Sequence, residues 1–188
     1  MSTIFDKIVK KELEIMKKLL IVVDYQNDFV DGSLGFDKAM QIEDRICDLI
    51  QTYKDNNDDV IFTLDTHPEN YLQTQEGKNL PVVHCVKGTE GWNLYGKVKD
   101  LAKDCLCIEK PTFPSLELGI YLQDKDYDEV TLTGVVSNIC VISNAVIVKA
   151  ALPEAVVVID EKATASNDEH LHDIGMEIME NLQMKVKK

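Results

Sequence analysis

The sequence lacks the long apolar runs that a membrane-spanning helix requires. Its longest continuous apolar stretches fall far short of the roughly 20 residues that cross a bilayer. Positive charge is also scarce, because 20 Lys and Arg residues stand against 33 Asp and Glu residues and leave a formal net charge of -13. Such an acidic surface repels nucleic acids and anionic membranes. We therefore expect neither as a partner, and we expect a small-molecule substrate instead.

Cysteines in a paired pattern are the second absence. The five cysteines are odd in number and lack the spacing of a zinc ribbon. No secretory leader is visible, so we expect a reducing, cytoplasmic compartment. A chain of 188 residues can bury a full core without disulfide bonds or structural metals. We predict one compact domain over residues 17–188, preceded by an amphipathic helical extension over residues 1–16.

Short apolar runs alternate with helical patterns along this domain. The runs predict buried strands at 19–23, 60–64, 105–108, 130–135, 155–159 and 184–186. The spacing of apolar residues predicts helices at 42–55, 97–103, 115–123 and 141–151, and a last helix capped by Asn167. This order predicts a three-layer α/β/α fold, in which a six-stranded parallel sheet carries helices on both faces.

Polar side chains follow the first three strands at the points where the strands end. Asp24 follows the first strand, Asp65 and His67 follow the second, and Lys110 follows the third. Ligands of open α/β sheets bind at this carboxyl edge. Asp65 and His67 lie two residues apart and point the same way in an extended chain, which suits a divalent metal. Each residue alone also has an ordinary alternative, a turn or cap for the carboxylates and exposure for the basic side chains.

The fourth strand leads into a bend marked by Gly134, which places Cys140 where the next helix begins. A helix N-terminus lowers the pKa of a thiol, and its free N–H groups can hold an oxyanion. This placement favours a nucleophile. The alternative is a small buried thiol that packs between a strand and a core helix.

The stretch 68–96 is predicted to be a long irregular loop. It contains Glu76 and His84, and His84 is a third candidate metal ligand. Loops of this length are functional or disordered, and the aromatic residues in this one argue against disorder. His170 and His172 fall on the last predicted helix, where we expect them to be solvated.

Five motifs together resemble a known family. They read VDYQNDF at 23–29, DTHP at 65–68, HCVKGT at 84–89, KP at 110–111 and GVVSNICV at 134–141. The resemblance is to the isochorismatase-like cysteine hydrolases, and within them to the nicotinamidases, and it covers about residues 17–186. It implies a metal-containing cysteine amidohydrolase that converts nicotinamide to nicotinate and ammonia through a thioester, as part of NAD recycling.

The resemblance also implies which residues perform the chemistry. The catalytic triad would consist of Asp24, Lys110 and Cys140. The oxyanion hole would be formed by the N–H groups of Val136 and Cys140, with a cis peptide bond before Val136. A flat substrate ring would lie between Phe29 and Phe113. A divalent ion, Zn or alternatively Mn or Fe, would be bound by the protein through Asp65, His67 and His84.

The sequence departs from the family pattern at two places near the metal ligands. An additional histidine of some relatives is absent from 71–74, and Glu76 is the candidate that replaces it as a fourth ligand. An aromatic residue often found before the last metal histidine is replaced by Leu80 and Pro81. Two alternatives stay open: another hydrolase of the family, acting on a different amide, a ureido compound or isochorismate, and a catalytically silent metal-binding or scaffold protein. For either enzyme we expect a homo-oligomer.

Overall fold

The computed structural model of the chain describes residues 16–188, and its centre is a six-stranded parallel sheet. The strands follow the spatial order β3-β2-β1-β4-β5-β6, and every neighbouring pair is parallel. The predicted three-layer α/β/α fold is confirmed. The strands are β1 Lys18–Val23, β2 Asp59–Asp65, β3 Leu106–Lys110, β4 Glu129–Val135, β5 Val156–Ala165 and β6 Lys185–Lys187.

Helices cover both faces of the sheet, as crossover connections between parallel strands require. In chain order they are α1 Asn27–Val30, α2 Asp37–Gln41, α3 Glu43–Asp55, α4 Gln75–Asn79, α5 Gly96–Leu101, α6 Leu116–Leu122, α7 Ile142–Ala151 and α8 Glu169–Asn181. The buried residues of α1, α2, α3 and α5 pack on one face, and those of α6, α7 and α8 pack on the other.

The central strand β1 shows why its sequence is continuously apolar. Leu19, Ile21 and Val23 belong to the core on the α7 side of the sheet. Leu20 and Val22 alternate with them and belong to the core on the α3 side. A strand that is buried on both faces cannot alternate between apolar and polar residues.

Three details differ from the sequence-based predictions. The loop predicted at 68–96 contains a 3-10 turn at Tyr71–Gln73 and the helix α4. Asp168, not Asn167, caps α8, because its Oδ1 accepts a hydrogen bond from the Leu171 N–H at 3.0 Å. The strand β5 continues to Ala165, since a shift of register past Leu132 lets its second half pair with the end of β4.

The predicted amphipathic helix at 1–16 falls on residues that lie, apart from Met16, outside the described part of the chain. Across residues 16–188, no helix has both the length and the apolar character needed to cross a membrane.

Candidate active site

The carboxyl ends of three strands bring Asp24, Lys110 and Cys140 together. The Lys110 Nζ lies 2.6 Å from the Asp24 Oδ2 and 3.7 Å from the Cys140 Sγ. The Asp24 carboxylate also lies beside the Cys140 thiol, and its Oδ1 accepts a hydrogen bond from the Thr63 hydroxyl at 2.7 Å. Asp24 and Lys110 are fully buried. The structure therefore gathers these three predicted residues into one cluster.

Unusual backbone conformations shape the strand ends around this cluster. Asp24 adopts a left-handed conformation with φ 47°, which turns the chain immediately after β1. Gly134 has φ 102°, and a side chain at this position would collide with the Val23 carbonyl. Glycine therefore lets β4 approach β1 closely where the chain turns toward Cys140.

Cys140 lies in a tight turn between β4 and α7. The peptide bond between Val135 and Val136 is cis, which agrees with what the resemblance implies. Residues Ser137–Val141 then form a single π-helical turn that runs directly into α7. This places the thiol at the start of a helical segment, where the sequence predicts it.

The pKa of the Cys140 thiol contradicts the sequence-based expectation. Burial raises the pKa of the thiol well above its usual range, and the Lys110 ammonium opposes this shift without reversing it. The effect of removing the thiol from water is larger than the pKa-lowering effect of the helix N-terminus. The prediction that the Cys140 pKa is lowered is therefore wrong. Burial also raises the pKa of Asp24, against the opposing charge of Lys110. A carboxylate with a raised pKa is a stronger base toward a thiol.

Lys110 carries the positive charge of the cluster. Burial lowers the pKa of Lys110, but the facing Asp24 carboxylate and its neighbours outweigh burial and raise the net pKa. The Nζ donates hydrogen bonds to Asp65 Oδ1 at 3.1 Å and to the Thr112 carbonyl at 3.0 Å. Lys110 is thus held as a protonated ammonium between two carboxylates.

A second cluster lies beside the first, and it contains the four residues Asp65, His67, Glu76 and His84. One potential ligand atom from each lies within 4.8 Å of the others. The Asp65 Oδ2 is 2.8 Å from His67 Nε2 and 3.5 Å from His84 Nε2. The Glu76 Oε1 is 3.5 Å from the same His67 atom. Glu76 reaches the cluster because it lies on α4, in the stretch predicted to be irregular.

The donor atoms of this second cluster fit a divalent cation. His84 Nδ1 lies 2.8 Å from the Val82 carbonyl oxygen. A carbonyl oxygen can only accept a hydrogen bond, so the imidazole proton of His84 is on Nδ1. The other ring nitrogen, Nε2, is then free to bind a metal. Within residues 16–188, His67 Nε2 and Glu76 Oε2 are buried without an aligned hydrogen-bond partner. Buried polar atoms are normally satisfied, so such atoms that converge with a carboxylate suit a metal ion.

The two clusters open into one cavity of about 200 Å³. Cys140 from the first cluster lines it, together with Asp65, Glu76 and His84 from the second. Both aromatic residues named by the resemblance, Phe29 and Phe113, also line the cavity. Leu80, which stands where relatives often have an aromatic residue, also lines the cavity. Four further lining residues were not predicted from the sequence: Leu34, Phe36, Ile139 and Asn167.

Sequence reasoning also missed residues that support the site from behind. The Gln26 side chain donates to the Asp65 carbonyl at 2.9 Å and accepts from the Asp65 N–H at 2.8 Å, which holds the end of β2. His172, expected to be solvated, is only partly exposed, and its Nδ1 lies 2.9 Å from the Ser137 hydroxyl. Its position on α8 was predicted, but its contact with the Cys140 turn depends on how α8 packs.

Comparison with known proteins matches this architecture. The family model described as the isochorismatase domain matches residues 18–187. An uncharacterized isochorismatase family protein, PncA of Bacillus subtilis, is 36% identical over 143 residues, which cover 70% of this chain and 78% of that protein. The crystal structure of the nicotinamidase/pyrazinamidase PncA from Bacillus subtilis has a TM-score of 0.82 at 31% identity, covering 92% of this chain and all of that one.

A third similar protein is the pyrazinamidase of Pyrococcus horikoshii, whose crystal structure was determined in complex with zinc. It has a TM-score of 0.78 at 26% identity and covers 92% of this chain and 99% of that one. The family model spans nearly the whole described chain, and the Bacillus subtilis relative exceeds 30% identity over most of its length. The chain therefore belongs to the isochorismatase family.

Proposed function

We propose that the protein is a nicotinamidase, which hydrolyses nicotinamide to nicotinate and ammonia in NAD recycling. The observation that carries this proposal is the small, mostly apolar cavity that is lined both by Cys140 and by members of the carboxylate and histidine cluster. A small flat amide fits between a thiol nucleophile and a polar group that holds the far side of its ring. The activities named for the similar proteins from Bacillus subtilis and Pyrococcus horikoshii support the same substrate class.

The first half of the reaction begins with proton transfer from the Cys140 thiol to the Asp24 carboxylate. The thiolate adds to the amide carbonyl carbon, and the carbonyl electron pair moves onto oxygen. Asp24 then gives its proton to the leaving nitrogen, the C–N bond breaks, and ammonia departs. The product is a thioester between the substrate acyl group and Cys140.

The second half reverses these proton transfers with water. Asp24 accepts a proton from the attacking water, whose oxygen bonds to the thioester carbon. The C–S bond then breaks, the Cys140 sulfur takes the proton back from Asp24, and the acid is released. Lys110 stays protonated and stabilises the negative charge that alternates between Asp24 and Cys140. The backbone N–H groups of Val136 and Cys140 would donate to the oxyanion in both tetrahedral intermediates.

The remaining residues would bind and orient the substrate. Asp65, His67, Glu76 and His84 would hold the divalent ion, and Zn, Mn and Fe all accept this set of oxygen and nitrogen ligands. When bound, the ion supplies a Lewis-acid contact for the pyridine nitrogen of the substrate. Phe29 and Phe113 would pack on the two faces of the ring and exclude water.

Ammonia release from nicotinamide by the purified protein tests the proposed function. We expect turnover that falls when a chelator is added and returns when Zn²⁺, Mn²⁺ or Fe²⁺ is restored. Turnover only on a ureido compound or isochorismate, in a parallel substrate panel, would assign the chain to another branch of the family. If no substrate is turned over and Cys140 resists iodoacetamide, the protein is the silent scaffold instead.

We expect Glu76→Ala to weaken metal affinity by roughly 10- to 100-fold, the scale seen when a supporting contact of a metal site is lost. The loss follows because Glu76 contributes a second carboxylate beside Asp65. Equilibrium dialysis of Zn²⁺ measures the effect, and Glu69→Ala, an exposed carboxylate earlier in the same loop, is the matched control. Equal affinity in the two variants would leave a site of three ligands.

We also propose that the protein self-associates through the outer face of α6 and α7. Leu116, Ile120 and Val146 on this face are 75%, 56% and 44% exposed, and α7 carries Lys149 as its one charged residue. In a chain with a net charge of -13, a face with so few charges is where a second copy can approach.

Light scattering of the purified protein should report the mass of a multimer, and Val146→Glu should shift the measured mass toward that of one chain. The control Gln41→Glu, which adds the same charge on α2, should leave the measured mass unchanged.

A cytoplasmic location is proposed from the state of the cysteines. All five cysteines are within the described residues, and all are free thiols. Free thiols persist in a reducing compartment. Detection of the protein in a secreted fraction of the source cells would contradict this location.

A further inference from the structure

Asn144 is a fully buried amide on α7 that takes no part in the proposed chemistry. Its Nδ2 donates to the Cys140 carbonyl at 2.8 Å and to the Phe113 carbonyl at 3.0 Å. Its Oδ1 accepts from the Ser115 N–H at 3.0 Å. The two carbonyls only accept and the N–H only donates, so these partners fix the orientation of the amide. Both of its donor hydrogens are used.

These three partners belong to two separate parts of the active site. Cys140 is the proposed nucleophile, and Phe113 lines the cavity. Phe113 lies on the segment 111–115, which follows Lys110 at the end of β3 and contains the Thr112 carbonyl that accepts from Lys110 Nζ. Asn144 therefore connects the nucleophile turn with the segment that holds the triad lysine and one cavity wall.

The sheet itself does not make this connection. The strand order places β2 and β1 between β3, which ends at Lys110, and β4, which leads to Cys140. No ladder of main-chain hydrogen bonds therefore joins the end of β3 directly to the end of β4. The Asn144 side chain forms hydrogen bonds with both segments and so provides the direct link between them that the sheet does not.

We propose that Asn144 is a positioning residue that holds Cys140 in register with Lys110 and Phe113. The proposal rests on the function proposed above, because it assigns Asn144 to the same site. Nucleophilic attack depends on geometry, and a displacement of about 1 Å can cost on the order of 100-fold in rate. Loss of Asn144 should therefore lower kcat rather than act through stability alone.

Two substitutions separate the donor bonds from packing. Asn144→Asp keeps the shape and the acceptor for Ser115, but it turns an oxygen toward the carbonyls of Cys140 and Phe113. Asn144→Ser retains one hydroxyl that can donate to the carbonyl four residues earlier, which is that of Cys140. The matched control is Ser143→Ala, because Ser143 is the preceding residue on the same helix and is partly buried.

We expect kcat for nicotinamide to fall by roughly 10- to 100-fold in Asn144→Asp, with a smaller change in KM. Asn144→Ser should recover part of kcat through its bond to the Cys140 carbonyl, and Ser143→Ala should match the parent. The alkylation rate of Cys140 by iodoacetamide should follow the same order. This rate reports on the thiol even if the protein does not hydrolyse nicotinamide. Failure of the proposed function can therefore be told apart from failure of the positioning role proposed for Asn144.

Three results would overturn the proposal. One is a kcat and an alkylation rate in Asn144→Ser within twofold of Ser143→Ala. Another is a rise in KM alone, which would restrict Asn144 to the Phe113 wall of the cavity. The last is a lower melting temperature with unchanged kcat in the folded fraction, which would make Asn144 a structural residue only. If Asn144→Asp does not fold, the comparison between Asn144→Ser and the control still decides.

Discussion

Replacing Cys140 with Ala is expected to abolish nicotinamide hydrolysis and to leave the fold intact. The covalent route needs the sulfur atom as nucleophile, and loss of a nucleophile lowers kcat by at least about 10⁴-fold in enzymes of this kind. The change in stability should be small, about 1 kcal/mol, because the substitution removes one small group from the core. For a chain of this length, that corresponds to a shift of roughly 2–4 °C in melting temperature.

The measurement is ammonia release together with thermal unfolding of the parent and the variant. Cys105→Ala is the control, because Cys105 is a partly buried free thiol that lies outside the cavity. It should retain the activity of the parent. Turnover of Cys140→Ala within tenfold of the parent would exclude the covalent mechanism.

Lys110→Met and Asp24→Asn should each lower kcat by on the order of 10³- to 10⁴-fold, and the double variant should lose little more than either one. The two side chains lie 2.6 Å apart and both contact Cys140, so they act as one unit. Once one member is gone, proton transfer from the thiol has already failed and the second loss adds little. Losses that add in full would mean that Lys110 is only a neighbour of the nucleophile.

The same two variants make a prediction about stability. Lys110→Met leaves the buried Asp24 carboxylate without its cation, which costs about 3–5 kcal/mol. Asp24→Asn should cost less, because the Lys110 Nζ keeps the Asp65 Oδ1 at 3.1 Å as a partner. The double variant leaves neither Asp24 nor Lys110 charged, so it should be more stable than the sum of the two single changes predicts. Urea unfolding of all four proteins measures this coupling, and a coupling energy of zero would contradict the buried pair.

Much of the fold could be predicted from local patterns in the sequence. The apolar runs at 19–23 and 60–64 predicted two central strands to within one residue at each end, since burial on both faces demands unbroken apolar sequence. Polar residues at strand ends predicted the edge of the sheet at which Asp24, Lys110 and Cys140 meet. These features depend on neighbours in the chain, so the chain itself reveals them.

The position of Glu76 shows where local patterns stop. The sequence around it predicts a loop, and a short helix forms there because the Thr74 hydroxyl accepts the Gly77 N–H at 3.0 Å and caps it. That helix turns the Glu76 carboxylate toward His67 and His84. A helix of five residues has too few apolar positions to show a helical periodicity, so the sequence pattern did not predict it.

The amino-acid sequence by itself determined the parallel sheet, the order of its elements and the set of candidate site residues at its edge. Only the tertiary structure decided the direction of the Cys140 pKa, because it depends on how completely the surrounding chain removes the thiol from water. Only the tertiary structure brought Asn144 to Phe113 and Ser115, about thirty positions away in the chain. Burial and long-range hydrogen bonds arise between segments that are distant in sequence, and local periodicity carries no information about them.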